Sequence, residues 1–135
     1  MSTIQKTFKQ LRDFDQMVGK LFEENPELKN TKFGYSVKRF NEKNYIPVLK
    51  KYRTAVEDIY IEHALVDEKT KAIILDKDSN RGFAYSKDGL RKVIEAEGKI
   101  MEEWDQKLFD IETYVCTDLP ELTEEQLVLI DGILK

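Results

Sequence analysis

Between Lys29 and Arg53 the chain sets eight cations, Lys29, Lys32, Lys38, Arg39, Lys43, Lys50, Lys51 and Arg53, against one acid, Glu42. Phe33, Tyr35, Phe40, Tyr45 and Tyr52 are interleaved with them. Cations neutralise phosphates and carboxylates, while aromatic faces stack planar rings at about 1–3 kcal/mol per base in nucleic-acid proteins. The segment therefore has the chemistry to hold an anionic or aromatic ligand, with Lys38, Arg39, Lys43, Tyr45, Lys50 and Arg53 as the candidate contacts. It could equally dock onto the chain's own acidic half: residues 1–53 carry 12 Lys and Arg against 6 Asp and Glu, and residues 54–135 carry 10 against 20.

Other reactive residue types lack the spacing that chemistry needs. Asp76, Asp78, Asn80 and Gly82 resemble the start of a calcium loop, but the sixth and twelfth positions, where such a loop needs Gly and a bidentate Glu, hold Arg81 and Lys87. Asp, Asn and Gly at that spacing suit a tight turn instead. His63 is the single histidine, so there is neither an imidazole pair for zinc nor a relay partner. It shares a stripe with Val56 and Ile59, which reads as a core or boundary position. Cys116 has no neighbouring cation to lower its thiol pKa, and a lone cysteine forms no internal disulfide. Glu95, Glu102, Glu103 and Asp105 read as a solvated helix face, and Gly82, Gly89 and Gly98 are too isolated to cradle a phosphate. No enzyme signature, metal site or cofactor is expected.

The elements that would position these residues follow from apolar spacing. With 135 residues, 41% of them apolar, the chain has enough material for one domain with a core of its own, over residues 1–135. No apolar run reaches membrane-span length, and the periodic start is unlike a secretory leader, so a soluble protein of a reducing compartment is expected. Ile4, Phe8, Leu11, Phe14, Val18 and Leu21 draw one stripe and predict a helix over 3–24, capped by Ser2 or Thr3 and stopped at Asn25-Pro26. Val37, Phe40, Val48, Tyr52, Val56 and Ile59 predict helix from about Thr31 to Leu65, with Pro47 imposing a kink or break near Asn44. That phasing turns Phe40, Val48 and Tyr52 inward and leaves the cations on exposed flanks.

Lys71–Leu75 and Phe83–Tyr85, joined by the Asp76–Gly82 turn, predict a hairpin. A lone hairpin is marginal, so it needs the helices or a third strand, for which Ile111–Thr117 is the candidate. Leu90, Val93, Ile94, Met101, Trp104 and Leu108 predict another helix with Ser86 at its cap, and Gly98 within it suggests close helix packing. Thr123 and Gln126 form a capping-box pattern before a closing helix that would bury Leu127, Ile130 and Leu134. The expected class is α+β and predominantly helical, three to four helices packed with a small antiparallel β-hairpin or three-stranded sheet.

Phe33-Gly-Tyr-Ser-Val-Lys-Arg-Phe-Asn41, Ala64-Leu-Val-Asp-Glu68 before a hairpin ending at Tyr85, and Leu119-Pro-Glu-Leu-Thr-Glu-Glu-Gln-Leu127 resemble a group of small tailed-phage and prophage accessory proteins. Asn41 and Asp67 fall on the pattern, each also suited to a structural cap. The resemblance implies a phage-encoded, non-enzymatic interaction protein acting in virion assembly or on a host factor, in the host bacterial cytoplasm or as part of the virion. Its partner would be a phage or host protein or a second copy, since a basic face can meet an acidic one. The alternative is a sponge that captures a nucleotide signal through residues 29–53 and so blocks host defence. A sequence pI near 5.2 argues against broad nucleic-acid binding, although a local RNA or single-stranded DNA patch would betray itself by steep salt dependence.

Overall fold

The computed structural model describes residues 3–116 and 118–134. It is a predominantly helical α+β chain, with strand β1 (Thr3–Thr7), helices α1 (Phe8–Glu24), α2 (Lys32–Phe40), α3 (Ile46–His63) and α4 (Lys87–Asp105), strand β2 (Leu108–Glu112) and helix α5 (Glu124–Ile130). A 3-10 segment, Pro26–Asn30, precedes α2, and a π-helical turn, Asn41–Tyr45, joins α2 to α3. The chain divides into two compact units, one of Met1–Leu49 with Trp104–Lys135, the other of Lys50–Glu103.

In the first unit, β1 pairs antiparallel with β2, Ile4 opposite Ile111 and Thr7 opposite Leu108. The expected helix over 3–24 therefore starts five residues late. Ile4 and Phe8 fit helical spacing, but Thr7 stops the strand and caps α1: its hydroxyl accepts from the Gln10 N–H at 3.1 Å while Gln10 Oε1 accepts from the Thr7 N–H at 2.9 Å. Of the two caps expected, Thr3 is in the strand and Ser2 lies outside the described residues. Phe8, Leu11, Phe14 and Val18 are buried as the stripe predicts, and Phe33, Val37 and Phe40 of α2 are buried as well. Phe14 meets Phe40 edge-on at 5.4 Å, and Phe8 meets Trp104 likewise at 5.7 Å.

The break expected near Asn44 is the π turn. At its end the Ile46 N–H bonds to the carbonyl of Asn41, five residues back, immediately before Pro47, whose ring would crowd the tighter α-helical path. Thr31 caps α2 by accepting from the Gly34 N–H at 3.2 Å. At the other end of the chain, the Thr123–Gln126 capping box is formed, and Ile130 and Leu134 are buried. Leu127 is not: it is 45% exposed. The expected strand at Ile111–Thr117 is displaced to Leu108–Glu112, with Thr117 outside the described residues. Leu108, assigned from the sequence to the preceding helix, opens that strand.

The second unit contains the 50–63 stretch of α3, the 87–103 stretch of α4 and the turn-rich segment between them. The expected hairpin consists of isolated bridges, Leu75 with Phe83 and Val66 with Ile73. Its third partner is Leu65, which donates to the Ala84 carbonyl at 2.9 Å and accepts from the Ile74 N–H at 2.8 Å. Ser86 caps α4, its hydroxyl accepting from the Gly89 N–H at 3.0 Å. Gly98 is exposed, and a methyl group there would meet open space, so close packing is not the reason for this glycine. No described helix is long and apolar enough to cross a membrane.

Candidate functional site

The basic aromatic segment separates into inward aromatics and outward cations. Phe33 and Phe40 are fully buried and Tyr45 is 6% exposed, its ring 6.3 Å from that of Phe8. Tyr45 is a core residue, which removes it as a platform for an external ligand. Lys38, Arg39, Lys43, Lys50 and Arg53 are all exposed; the first three stand in the first unit and the last two in the second.

Helical phasing gathers a different set on the outer face of α2 and the π turn. Lys32, Tyr35, Arg39 and Lys43 recur at steps of 3, 4 and 4, the spacing of one helix face. Tyr35, 58% exposed, borders a hollow of about 280 Å³ with Lys32, Ser36, Arg39, Val115 and Cys116. Arg39 also borders a second hollow, of about 380 Å³, with Glu42, Lys43 and Tyr114. Arg39 is thus the shared wall of two adjoining depressions. Val115 is 73% exposed, whereas Cys116 is buried.

Electrostatics agree with this placement. Burial pushes the Tyr114 phenol above its ordinary value, the Glu112 charge and hydrogen bond raise it further, and the Arg39 cation opposes them. Lys32 Nζ holds the exposed carboxylate of Asp118 at 3.4 Å, a contact between the basic segment and the acidic half of the chain. Lys38 lines neither hollow.

Comparison with protein-family models, with curated proteins and with solved structures finds no match. Function must therefore be argued from the side chains alone.

The residues singled out for other chemistry have structural work. Asp67 Oδ1 accepts from the N–H groups of Lys69 at 2.8 Å and Thr70 at 3.0 Å, bonds that hold its carboxyl below the ordinary value. Asp76 Oδ1 accepts from the Asp78 N–H at 3.0 Å, and Gly82 takes φ 81°, as a turn requires. Asn41 Nδ2 donates to Asp15 at 3.2 Å. His63 ends α3 in a half-buried position of the second unit, while Cys116 belongs to the first.

A further concentration of chemistry lies wholly within the second unit, and of the sequence-stated candidates it includes only Arg53. Tyr52, Val56 and Tyr60, at steps of four along α3, face Phe83 and Arg81 from the turn segment and Glu97 from α4 around a cleft of about 430 Å³. Its aromatic floor was half visible in the sequence, because Tyr52 and Tyr60 share a helix face. Arg81 and Glu97 are remote in sequence and carried no local signal.

Proposed function

We propose that this chain is a non-enzymatic interaction protein that docks an acidic protein surface along the Lys32, Tyr35, Arg39 and Lys43 face. The observation that carries the reading is the exposure of Tyr35 and Val115 beside Arg39: an aromatic and an apolar anchor set among cations, with two shallow hollows between them. Interfaces concentrate binding energy in Tyr and Arg anchors, and a complementary charge field steers the approach. The Lys32 contact with Asp118 supports an acidic partner, since it is already a carboxylate that settles there. The helix on which the face stands belongs to the pattern shared with small tailed-phage accessory proteins, which favours a phage-encoded role in virion assembly or on a host factor.

The test is copurification from infected, nuclease-treated cells, comparing the native chain with an Arg39→Glu/Lys43→Glu variant that keeps the same circular dichroism and Tm. A partner bound by the native chain, identified and shown to present an acidic patch, should lose at least about tenfold in affinity for the variant, as close charge pairs are worth 1.4 kcal/mol or more. Equal binding to both chains would refute the docking face. If the retained protein is the chain itself, light scattering at low and high salt will show a salt-sensitive oligomer in place of a heterologous complex.

A further inference from the structure

We propose that the cleft of the second unit is a binding site for a nucleoside monophosphate whose base carries an exocyclic amine. The site is separate from the docking face, shares no residue with it, and stands independently of that reading.

Size and lining set the class of ligand. About 430 Å³ falls within the range of small-molecule sites, which combine aromatic and apolar walls with a few placed polar groups. Tyr60 and Phe83 form an open corner, their ring centroids 6.5 Å apart and their planes at 57°. Tyr52 extends the same floor two helical turns away and is held by its hydroxyl, which donates to Met101 Sδ at 3.8 Å. A planar ring entering this corner gains stacking on either face.

The charges narrow the choice. Arg81 Nε donates to Glu97 Oε1, and this pair is mostly shielded, with 25% and 27% of the two side chains exposed. The Arg81 cation also opposes the burial that raises the Tyr60 phenol. On the rim, one turn apart on α3, Arg53 and Glu57 are both exposed and form no ion pair with each other. A bare phosphate would meet Glu57 and Glu97 as well as Arg53, and an aromatic without charge would leave Arg53 unused. A ligand that brings an anion to Arg53, a stacking ring to Tyr60 and an amine to Glu57 satisfies all three at once. A nucleic-acid strand needs a continuous cationic track, which a rim with as many carboxylates as guanidinium groups does not provide.

Calorimetric titration of the full chain with AMP, GMP, CMP and UMP tests the site, with adenosine and inorganic phosphate as separate probes. Saturable one-to-one binding is expected for at least one amine-bearing nucleotide. UMP and adenosine should each be weaker by about tenfold or more, and inorganic phosphate should not saturate. Arg53→Glu should weaken the nucleotide at least about tenfold, Glu57→Ala should erase the preference over UMP, and both are surface changes that leave the fold intact. Arg39→Glu should leave the affinity unchanged. Absence of saturable binding by all four nucleotides, equal affinity for adenosine and AMP, or full affinity in the Arg53→Glu chain would each overturn the proposal.

Discussion

The Asn44 carboxamide spends both of its functions on the main chain of one residue, Glu112: Oδ1 accepts from the Glu112 N–H at 2.9 Å, and Nδ2 donates to the Glu112 carbonyl at 3.3 Å. It pairs with β2 as a neighbouring strand would, from the π turn, so the two-stranded sheet receives a third partner at one position. Asn44 is 8% exposed, and removing its amide leaves two main-chain groups without partners. Asn44→Ala should cost about 2–4 kcal/mol, read as a shift of the urea midpoint at unchanged slope. Asn44→Asp keeps the acceptor but replaces the donor by a second acceptor facing the Glu112 carbonyl, and should be at least as damaging at neutral pH.

Two glycines in helices should respond oppositely to a methyl group. At Gly34 it would drive into the carbonyl oxygens of Leu28 and Lys29, which are main chain and cannot rotate away. At Gly98 it would meet nothing. Gly34→Ala should destabilise by about 2 kcal/mol or more, through displacement of the 3-10 segment against α2. Gly98→Ala should stabilise by about 0.5–1 kcal/mol, because the helix interior gains without a new contact. Thermal unfolding of the two variants decides both.

Asp15 sits beside Asn41, and burial raises its pKa above the ordinary aspartate value while the Asn41 hydrogen bond only partly offsets this. A raised folded value means that the folded state holds the proton more tightly than the unfolded chain. Ionised Asp15 therefore costs stability above its folded pKa, and that cost disappears as pH falls through the folded value to the unfolded one. Asn41 Oδ1 is buried without a hydrogen-bond partner among the described residues, so Asp15→Asn supplies a donor as well as removing the charge. The variant should be more stable than the native chain near neutral pH, on the order of 1 kcal/mol, with the advantage shrinking in the acid range. A difference independent of pH would separate the hydrogen bond from the charge.

The helices were largely legible in the sequence because burial repeats along them; the start of the fold was not, and the reason is local. Thr7-Phe-Lys-Gln10 and Thr123-Glu-Glu-Gln126 are the same capping pattern, and both form. Only the second stands out in the sequence, because Leu119-Pro120 isolates it, whereas Ile4 continues the apolar stripe of α1 and its pairing with Ile111 depends on residues more than a hundred positions away. Tyr45 illustrates the same limit at the site. Its neighbours are cationic in sequence, but the π turn directs it onto Phe8. Arg81 and Glu97 could not be joined by spacing at all, since only the turn segment brings them together in the second unit.

The Arg81–Glu97 pair also makes a prediction that reports on its surroundings. Burial is the largest cause holding the Tyr60 phenol above its ordinary value, the Glu97 charge raises it further, and Arg81 acts in the opposite sense. Glu97→Gln removes one raising influence while keeping an acceptor for Arg81, so Tyr60 should ionise at lower pH than in the native chain, though still above an exposed tyrosine because burial remains. A phenolate absorbance titration, differenced against Tyr60→Phe, isolates this one ring among six. The same substitution should destabilise the chain by about 1–2 kcal/mol, as a charge-assisted bond becomes a neutral one beside a guanidinium that stays partly buried. An unchanged Tyr60 titration in Glu97→Gln would mean that Glu97 does not sense the ring across the cleft, and would leave burial as the only influence raising it.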